Sequence, residues 1–470
     1  MMHWSLAHIA RAVSGRLVAG GGNIMLEGVA TDTRQACARR LFIALQGERF
    51  DAHDYLEEAV DQGAAALLVH SADKLPRGVP VILAEDTRLA LGRLAAAWRR
   101  KYPQPVIAVT GSNGKTTTRE MIAGILKTAW GENSVLTPQG NFNNDIGVPL
   151  TLLRLGAEHK AAVLEMGMNH PGEIGYLTRI VRPTAALITN AQRAHLEGMG
   201  NLTSVAMEKA SIYDGLEQGG VALINNDDPQ AALWQRKNAS RPTLTFALEH
   251  PADVRGEVSL RGLGARLVLA TAQGSRDFEL RIPGRHNAMN ACAAAAAGLA
   301  VGLELDALVE GLRRFSGVNG RLQQKTGPYG ALILDDTYNA NPDSVRAGID
   351  VLAGMIGRQF LVLGDMGEVG ESSAQHHDEI GGYARSMGVD RLYALGEASA
   401  QAARGFGEGA RVFRTPEALV KALLEELKDC AKNGGGSGAL TLLVKGSRFM
   451  RMERVVGLLL NAAQAEEGAN

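Results

Sequence analysis

Residues 106–118 read VIAVTGSNGKTTT. The apolar run 106–109 has the pattern of a strand buried on both faces. It leads into Thr110, Gly111, Ser112, Asn113, Gly114, Lys115, Thr116 and Thr117, and then into a stretch whose Met121, Ile122, Ile125, Leu126 and Ala129 fall on one side of a helix. A loop so placed aims backbone N–H groups at one point, and the helix N-terminus adds partial positive charge. Gly111 and Gly114 let the backbone approach an anion closely. Lys115 can reach the β- and γ-phosphates of a nucleoside triphosphate, and the Thr116 hydroxyl can ligate Mg²⁺. Val109 stands where the pattern G-x-x-x-x-G-K-[ST] has its first glycine, so the loop departs from the common Walker type. A glycine turn followed by a solvated lysine is the competing explanation. The buried strand before the loop and the amphipathic helix after it argue against that.

Two further polar residues stand at strand ends. Glu165 follows the apolar run AAVL, and His195 follows ALIT after a short loop. Both are expected at the C-terminal edge of a parallel sheet, the edge that carries the glycine loop and binds ligands in open α/β folds. A carboxylate and an imidazole there can hold Mg²⁺ or orient water around it. Taken singly, Glu165 could be a solvated charge and His195 a structurally bonded loop residue; beside the glycine loop, the metal role is the better reading. Lys209 lies in a helical stretch, 205–213, and by composition alone is a surface lysine.

Strand ends can converge only on a suitable frame, and the chain supplies three blocks in which strands and helices alternate. Residues 1–102 form a small α/β domain with strands expected at 41–45, 65–69 and 79–83 and helices at 55–62 and 88–100. The prolines of KYPQP, 101–105, stop the second helix and make a linker. Residues 103–320 form a P-loop-type domain on a mostly parallel sheet, with further strands at 161–164, 185–189 and 221–225, a small antiparallel addition at 256–282 and a closing helix at 287–301. Residues 321–470 form a Rossmann-like domain. Its strands at 331–334, 360–363, 391–394 and 440–444 alternate with helices at 343–353, 374–386, 416–427 and 449–460. The glycine-rich stretch 434–438 reads as a flexible surface loop. The fold class is therefore α/β in three domains, which by itself names no function.

At 470 residues the chain is long enough for about three domains, each with its own core. Hydrophobic residues at 46% and charged residues at 21% are ordinary for a soluble globular protein. A formal net charge of −1 provides no global field for nucleic acid or an anionic membrane. Cys37, Cys292 and Cys430 are far apart and odd in number, which argues against a disulfide framework or a cysteine zinc site and fits a reducing cytoplasm. The first 16 residues lack an apolar signal core, and no uncharged apolar run approaches the roughly 20 residues that span a bilayer.

Four segments together resemble one family. TGSNGKT, AAVLEMGMNHPGEI, NAQRAHLEGMG and DDTYNANPDS are similar to the Mur ligases of peptidoglycan synthesis. The set GERFDAHD, HLEGMG, YNANP, VLGDMGEVG and KGSRFMRME is most similar to the branch that adds D-alanyl-D-alanine. The resemblance implies a cytoplasmic, monomeric enzyme whose partners are small molecules: UDP-N-acetylmuramoyl-tripeptide (UDP-MurNAc-tripeptide), D-Ala-D-Ala and ATP. The tripeptide carboxylate would attack the γ-phosphate to give an acyl phosphate, and the dipeptide amine would displace phosphate through a tetrahedral intermediate. A carboxylate approaching a polyanion needs cations on both. The resemblance assigns these to Lys115, to Mg²⁺ on Thr116 and Glu165, and to a second Mg²⁺ near His195 supported by a carbamylated Lys209. In the family glycine and glutamate usually follow that lysine; here Ala210 and Ser211 do. Asn287 resembles an adenine contact, and Arg321 and Asp336 resemble residues that close on ATP from the third domain. Asn287 as a helix cap and Arg321 as a linker charge are the plainer alternatives. Asn141, Asn143, Asn144 and Asp145 resemble a tripeptide-proximal loop, and Thr31, Asp32, Thr33 and Arg34, with 47–50, a UDP-sugar site. Tyr338, Asn339, Asn341, Lys445, Ser447 and Arg448 are candidates around D-Ala-D-Ala or the substrate peptide.

Three other readings compete. A neighbouring ligase that adds the third amino acid to the same precursor would carry histidine in place of the second residue of the NANP run. A folylpolyglutamate synthase shares the loop and the two blocks after it, but leaves the first block without a task. A nucleotide-binding regulator without chemistry leaves Lys115, Glu165, His195 and Lys209 unexplained.

Overall fold

The computed structural model describes residues 3–48, 50–433 and 440–467. Arg49 of the 47–50 segment and the 434–438 stretch lie outside the described residues. The central block is built on a nine-stranded sheet. Its parallel part runs Val135–Leu136, Ala161–Glu165, Val106–Thr110, Ala185–Ile188, Val221–Asn225, Thr243–Ala247 and Val254–Arg261 in spatial order. The first of these in the chain, Val106–Thr110, thus lies between strands that come later on both sides. That is the topological switch point where open α/β sheets leave a crevice at their C-terminal edge. Two antiparallel strands, Gly264–Thr271 and Gly274–Leu280, extend the sheet from Val254–Arg261, as the turn-rich 256–282 pattern implied.

Val106 and Ala108 enter the core on one face of this sheet, and Ile107 and Val109 the core on the other. The second face is covered by Lys115–Trp130, Arg285–Ala300 and Leu305–Arg314. The alanines of Arg285–Ala300 allow a close approach. At Gly311 an added Cβ would lie 2.4 Å from the Ile125 Cα, so that crossing has no room even for a methyl group.

The first block is a five-stranded sheet in the order Arg16–Ala19, Val81–Leu83, Ala66–Val69, Leu41–Ile43, Val29–Ala30, with the first pair antiparallel. Its helix Thr87–Arg99 presents Leu91, Leu94 and Trp98 to a core shared with Val148, Leu152, Ile174 and Leu177 of the central block. The Trp98 indole N–H donates to the Leu155 carbonyl at 2.9 Å, and the buried Arg99 donates to the Val181 carbonyl at 2.9 Å. Residues 101–105 therefore join two blocks that share one core. Short elements of the first block, Leu6–Ala12, Arg16–Ala19 and Val29–Ala30, have no counterpart in the sequence reading.

The third block carries a six-stranded sheet, Gln323–Thr326, Leu332–Asp336, Leu440–Lys445, Arg358–Gly364, Arg391–Leu395, Ala410–Phe413, parallel except at Gln323–Thr326. The last strand in the chain enters the middle, so Asp336 pairs with Lys445 and Lys445 with Leu363 along one edge. That edge faces the C-terminal edge of the central sheet.

Candidate active site

The phosphate loop is shaped by two glycines. Gly111 has φ 151°, and an added Cβ would sit 1.8 Å from Thr189 Oγ1; Gly114 has φ 80°, and its Cβ would sit 2.5 Å from Asn290 Oδ1. Gly114 caps the helix that begins at Lys115. The Lys115 ammonium donates to the carbonyls of Gly111 and Ser112 at 2.8 and 3.2 Å, which holds it over the loop. Asn190 fixes the loop from the neighbouring strand end: its carbonyl accepts the Ser112 N–H and its Oδ1 the Asn113 N–H. The Thr110 side chain turns inward and donates to the Met166 carbonyl.

Glu165 ends its strand beside the loop. Its carboxylate accepts from the Thr116 hydroxyl at 2.9 Å and from Asn143 Nδ2 at 2.9 Å, with the Arg119 guanidinium 3.5 Å away. Thr116, Glu165 and Asn143 thus form a cluster of oxygen donors suited to a hard cation. Among the described residues no three His, Cys, Asp or Glu side chains converge into a metal cage, so an ion here would complete its shell from phosphate and water, the usual habit of Mg²⁺.

His195 approaches from the other side, and Lys209 lies near enough for its charge to bear on Lys115 and His195, though it lines neither cavity at the loop. His195 has φ 58° and precedes the short helix Leu196–Met199; its Nδ1 lies 2.7 Å from Glu368 Oε2 of the third block. Burial pushes its pKa down. Lys209 sits on Leu202–Ala210, 1% exposed, and it has no hydrogen-bond or ion-pair partner among the described residues. It is thus not the surface lysine that composition implied. Burial, and then the charge of Lys115, push its pKa well down, which favours the neutral amine. Burial likewise lowers that of Lys115.

Two cavities meet at this loop. One, of about 730 Å³, is lined by Lys115, Glu165 and His195 together with Asn141, Asn143, Asn144, Asp145, Tyr338, Asn339 and Arg448. The other, of about 890 Å³, is lined by Thr117, Asn287 and Asp336. Asn113, Gly114, Arg321 and Lys445 border both. Arg321 stacks on the Tyr338 ring, 4.3 Å from its centroid, and reaches the Thr116 hydroxyl at 3.4 Å. Asn287 does not cap its helix; Gly284 holds that position, and the Asn287 amide donates to the Pro283 carbonyl.

Several candidates have structural partners. Lys445 donates to Asp336 at 2.5 Å and to the Asn339 carbonyl at 3.0 Å. Asn341 caps Pro342–Ala353 and exchanges amide hydrogen bonds with Asn113 at 2.8 and 3.2 Å, joining the third block to the loop. Ser447 is buried and lines neither cavity. Asn144 caps the turn into Gly147, and Asp145 pairs with Arg88. Thr31, Asp32, Thr33 and Arg34 lie outside both cavities, where the Arg34 guanidinium holds the Asp32 carboxyl below its usual range. The residues that sequence reasoning missed are Asn190, Arg119 and Glu368. Glu368 follows the apolar run FLVL by a short glycine turn, the same signal that marked His195.

The chain is similar in sequence and fold to known proteins. Residues 26–99 match the Mur ligase family catalytic domain, 109–298 the Mur ligase middle domain, and 320–448 the Mur ligase glutamate ligase domain. The UDP-N-acetylmuramoyl-tripeptide--D-alanyl-D-alanine ligase of Escherichia coli is 41% identical over 98% of this chain and 99% of its own. The crystal structure of MurF from Acinetobacter baumannii superposes with a TM-score of 0.91 at 35% identity, covering 98% of this chain and 99% of that one. The MurF ligase of Thermotoga maritima in complex with ADP gives 0.81 at 26% identity, covering 94% and 98%. With matches through all three blocks and near-complete mutual coverage, the chain belongs to the Mur ligase family.

Proposed function

We propose that the chain is an ATP-dependent ligase that joins D-alanyl-D-alanine to UDP-N-acetylmuramoyl-tripeptide, releasing ADP and phosphate, and so makes the pentapeptide precursor of peptidoglycan. The observation that carries this is the meeting of two cavities at Asn113 and Gly114, with Lys115 on the wall of one of them. A nucleotide in the cavity of Thr117, Asn287 and Asp336 sends its γ-phosphate across the loop toward the cavity of Glu165 and His195. The tripeptide carboxylate reaches it from the second side, past Asn141 and Asn143, and becomes the acyl phosphate. Lys115 and Arg321 neutralise the charge that gathers as the two anions approach.

Thr116 and Glu165 suit one Mg²⁺, and His195 with Lys209 a second. When bound, such ions polarise phosphoryl oxygens and screen the two anions. Carbon dioxide adds to the neutral amine, the form that burial favours at Lys209, and the carbamate would turn a misplaced cation into an oxygen ligand. We divide the chain into a UDP-sugar domain at 1–102, with Thr31 to Arg34 as candidate contacts, an ATP domain at 103–320 and a closing domain at 321–470. The enzyme acts as a cytoplasmic monomer whose product serves cell-wall growth, cell shape and division.

Phosphate release measured with each substrate omitted in turn tests the assignment. Turnover is expected only when ATP, UDP-MurNAc-tripeptide and D-Ala-D-Ala are all present. Equal turnover with a free amino acid in place of the dipeptide would overturn it.

A further inference from the structure

The segment VLGDMGEVG has no task in the reaction as described, yet the fold joins it to KGSRFMRME at the reacting end of the cleft. After the strand Arg358–Gly364 the chain turns toward the central block, and Ser447 fixes the turn. The Ser447 N–H donates to the Asp365 carbonyl at 3.0 Å, and its Oγ accepts the Gly367 N–H at 2.8 Å and donates to the Ala340 carbonyl at 2.9 Å. Glu368 follows with φ 59°, a left-handed conformation that a non-glycine residue keeps only where its surroundings impose it. Its carboxylate meets His195, itself at φ 58°, so two residues in unusual backbone conformations touch across the cleft.

The acids that line this cavity are otherwise engaged. Asp145 pairs with Arg88; Glu165 serves Thr116, Asn143 and Arg119; Glu173 accepts the N–H groups of Asn169 and His170. Glu368 is the carboxylate that the third block brings to the wall, beside Arg448 of the same block. Making the acyl phosphate concentrates negative charge, so another carboxylate does not help that step. Consuming it requires a nucleophile that carries N–H bonds, and there a hydrogen-bond acceptor is useful.

We propose that Glu368 receives the incoming amine: its carboxylate accepts hydrogen bonds from the dipeptide nitrogen and turns the nitrogen lone pair toward the acyl carbon. This rests on the ligase reading above. The ammonium of the dipeptide gives one proton to solvent on becoming the nucleophile. The C–N bond then forms, the C–O bond to phosphate breaks, and the second proton leaves with the phosphate. Arg448 supplies a cation on the same wall for the carboxylate end of the dipeptide.

The test uses the full-length enzyme with ATP and UDP-MurNAc-tripeptide, and offers either D-Ala-D-Ala or hydroxylamine as nucleophile. Hydroxylamine is small, largely uncharged at neutral pH and captures the acyl phosphate as a hydroxamate without needing to be oriented. In Glu368→Gln, kcat/KM for the dipeptide is expected to fall about 10- to 100-fold, the effect of losing a charge-assisted hydrogen bond, while hydroxamate formation stays within about threefold of wild type. Glu368→Asp is expected to recover part of the dipeptide activity. A parallel fall in hydroxamate would assign Glu368 to acyl phosphate formation through His195 and overturn the proposal, as would an unchanged kcat/KM for the dipeptide. Wild-type enzyme that makes hydroxamate but never ligates the dipeptide would instead refute the ligase reading.

Discussion

Replacing Arg193 with alanine is expected to loosen the third block from the central one without disturbing either core. Arg193 lies in the loop before His195, and its guanidinium donates to Asp343 at 2.7 and 3.1 Å and to Glu379 at 2.8 and 3.2 Å, both in the third block. Arg346 also binds Glu379, at 2.8 Å. The Arg193 side chain is 27% exposed, so its worth lies between that of a surface pair, about 0–1 kcal/mol, and a buried one, about 3–5 kcal/mol. A loss of about 2 kcal/mol changes the ratio of closed to open enzyme roughly 30-fold. If only the closed form holds substrates, the apparent affinity for ATP and tripeptide falls by up to that factor. Asp343 also accepts the Arg193 backbone N–H at 2.8 Å and stands in the first turn of Pro342–Ala353. Both contributions survive Arg193→Ala and vanish in Asp343→Ala, which should therefore cost about 1 kcal/mol more. Steady-state KM values for the two single variants and the double variant, with small-angle scattering in the presence of an ATP analogue and tripeptide, measure this. Unchanged KM and compaction in Arg193→Ala would refute the latch, and equal losses in the two single variants would refute the assignment of its parts.

Lys209→Ala should lose most activity, about 100-fold, and regain part of it with short carboxylic acids such as acetate that replace the carbamate oxygens; full activity without rescue would remove the carbamate role. Gly114→Ala places a Cβ in a left-handed position 2.5 Å from Asn290 Oδ1. Strain of about 1–2 kcal/mol plus that clash should weaken ATP binding at least tenfold by titration calorimetry. His377 is buried; its Nε2 accepts the Met366 N–H at 2.9 Å, its Nδ1 lies 2.7 Å from the Ser373 carbonyl, and burial lowers its pKa. The unfolded chain therefore binds a proton near pH 6.5 that the folded chain does not yet take. Stability contributed by the neutral ring is present above that pH and falls as the pH drops toward the lowered folded value. Denaturant unfolding at pH 7.5 and 5.5 should show a smaller difference in His377→Gln than in wild type; an equal difference would refute the reading.

The sequence disclosed what rests on periodicity and on strand ends. The alternation VIAVT fits two cores because its odd and even residues enter different ones, and Glu165 and His195 could be placed because each follows an apolar run. Edge strands of two to four residues, such as Val29–Ala30 and Arg16–Ala19, are too short to show a period and are held by their neighbours. The partnership of Asn113 with Asn341, or of Arg193 with Asp343, joins residues 228 and 150 positions apart. Polar side chains carry no pattern that names such a distant partner. Lys209 shows the same limit: a lysine on a short helix reads as solvated until packing buries it.

Val109 shows how an apparent defect in a motif can follow from strand length. In this protein the first strand continues through Thr110, and Val109 is still a full member of the sheet, opposite Glu165 on one side and Leu187 on the other. Its side chain is buried in the core beneath the Ala-rich helix, where glycine would leave a hole of three carbons. The chain leaves the sheet only at Gly111, and there the conformational demand appears, with φ 151° and Thr189 Oγ1 where a Cβ would stand. The tight glycine is therefore needed two residues later than in the Walker pattern. The loop from there to Lys115 is shorter, and it is fixed by the Asn190 side chain and by Asn341 of the third block. The third block therefore supplies part of the phosphate loop's geometry through Asn341, which ties the shape of the loop to the position of the block that we assign to the dipeptide.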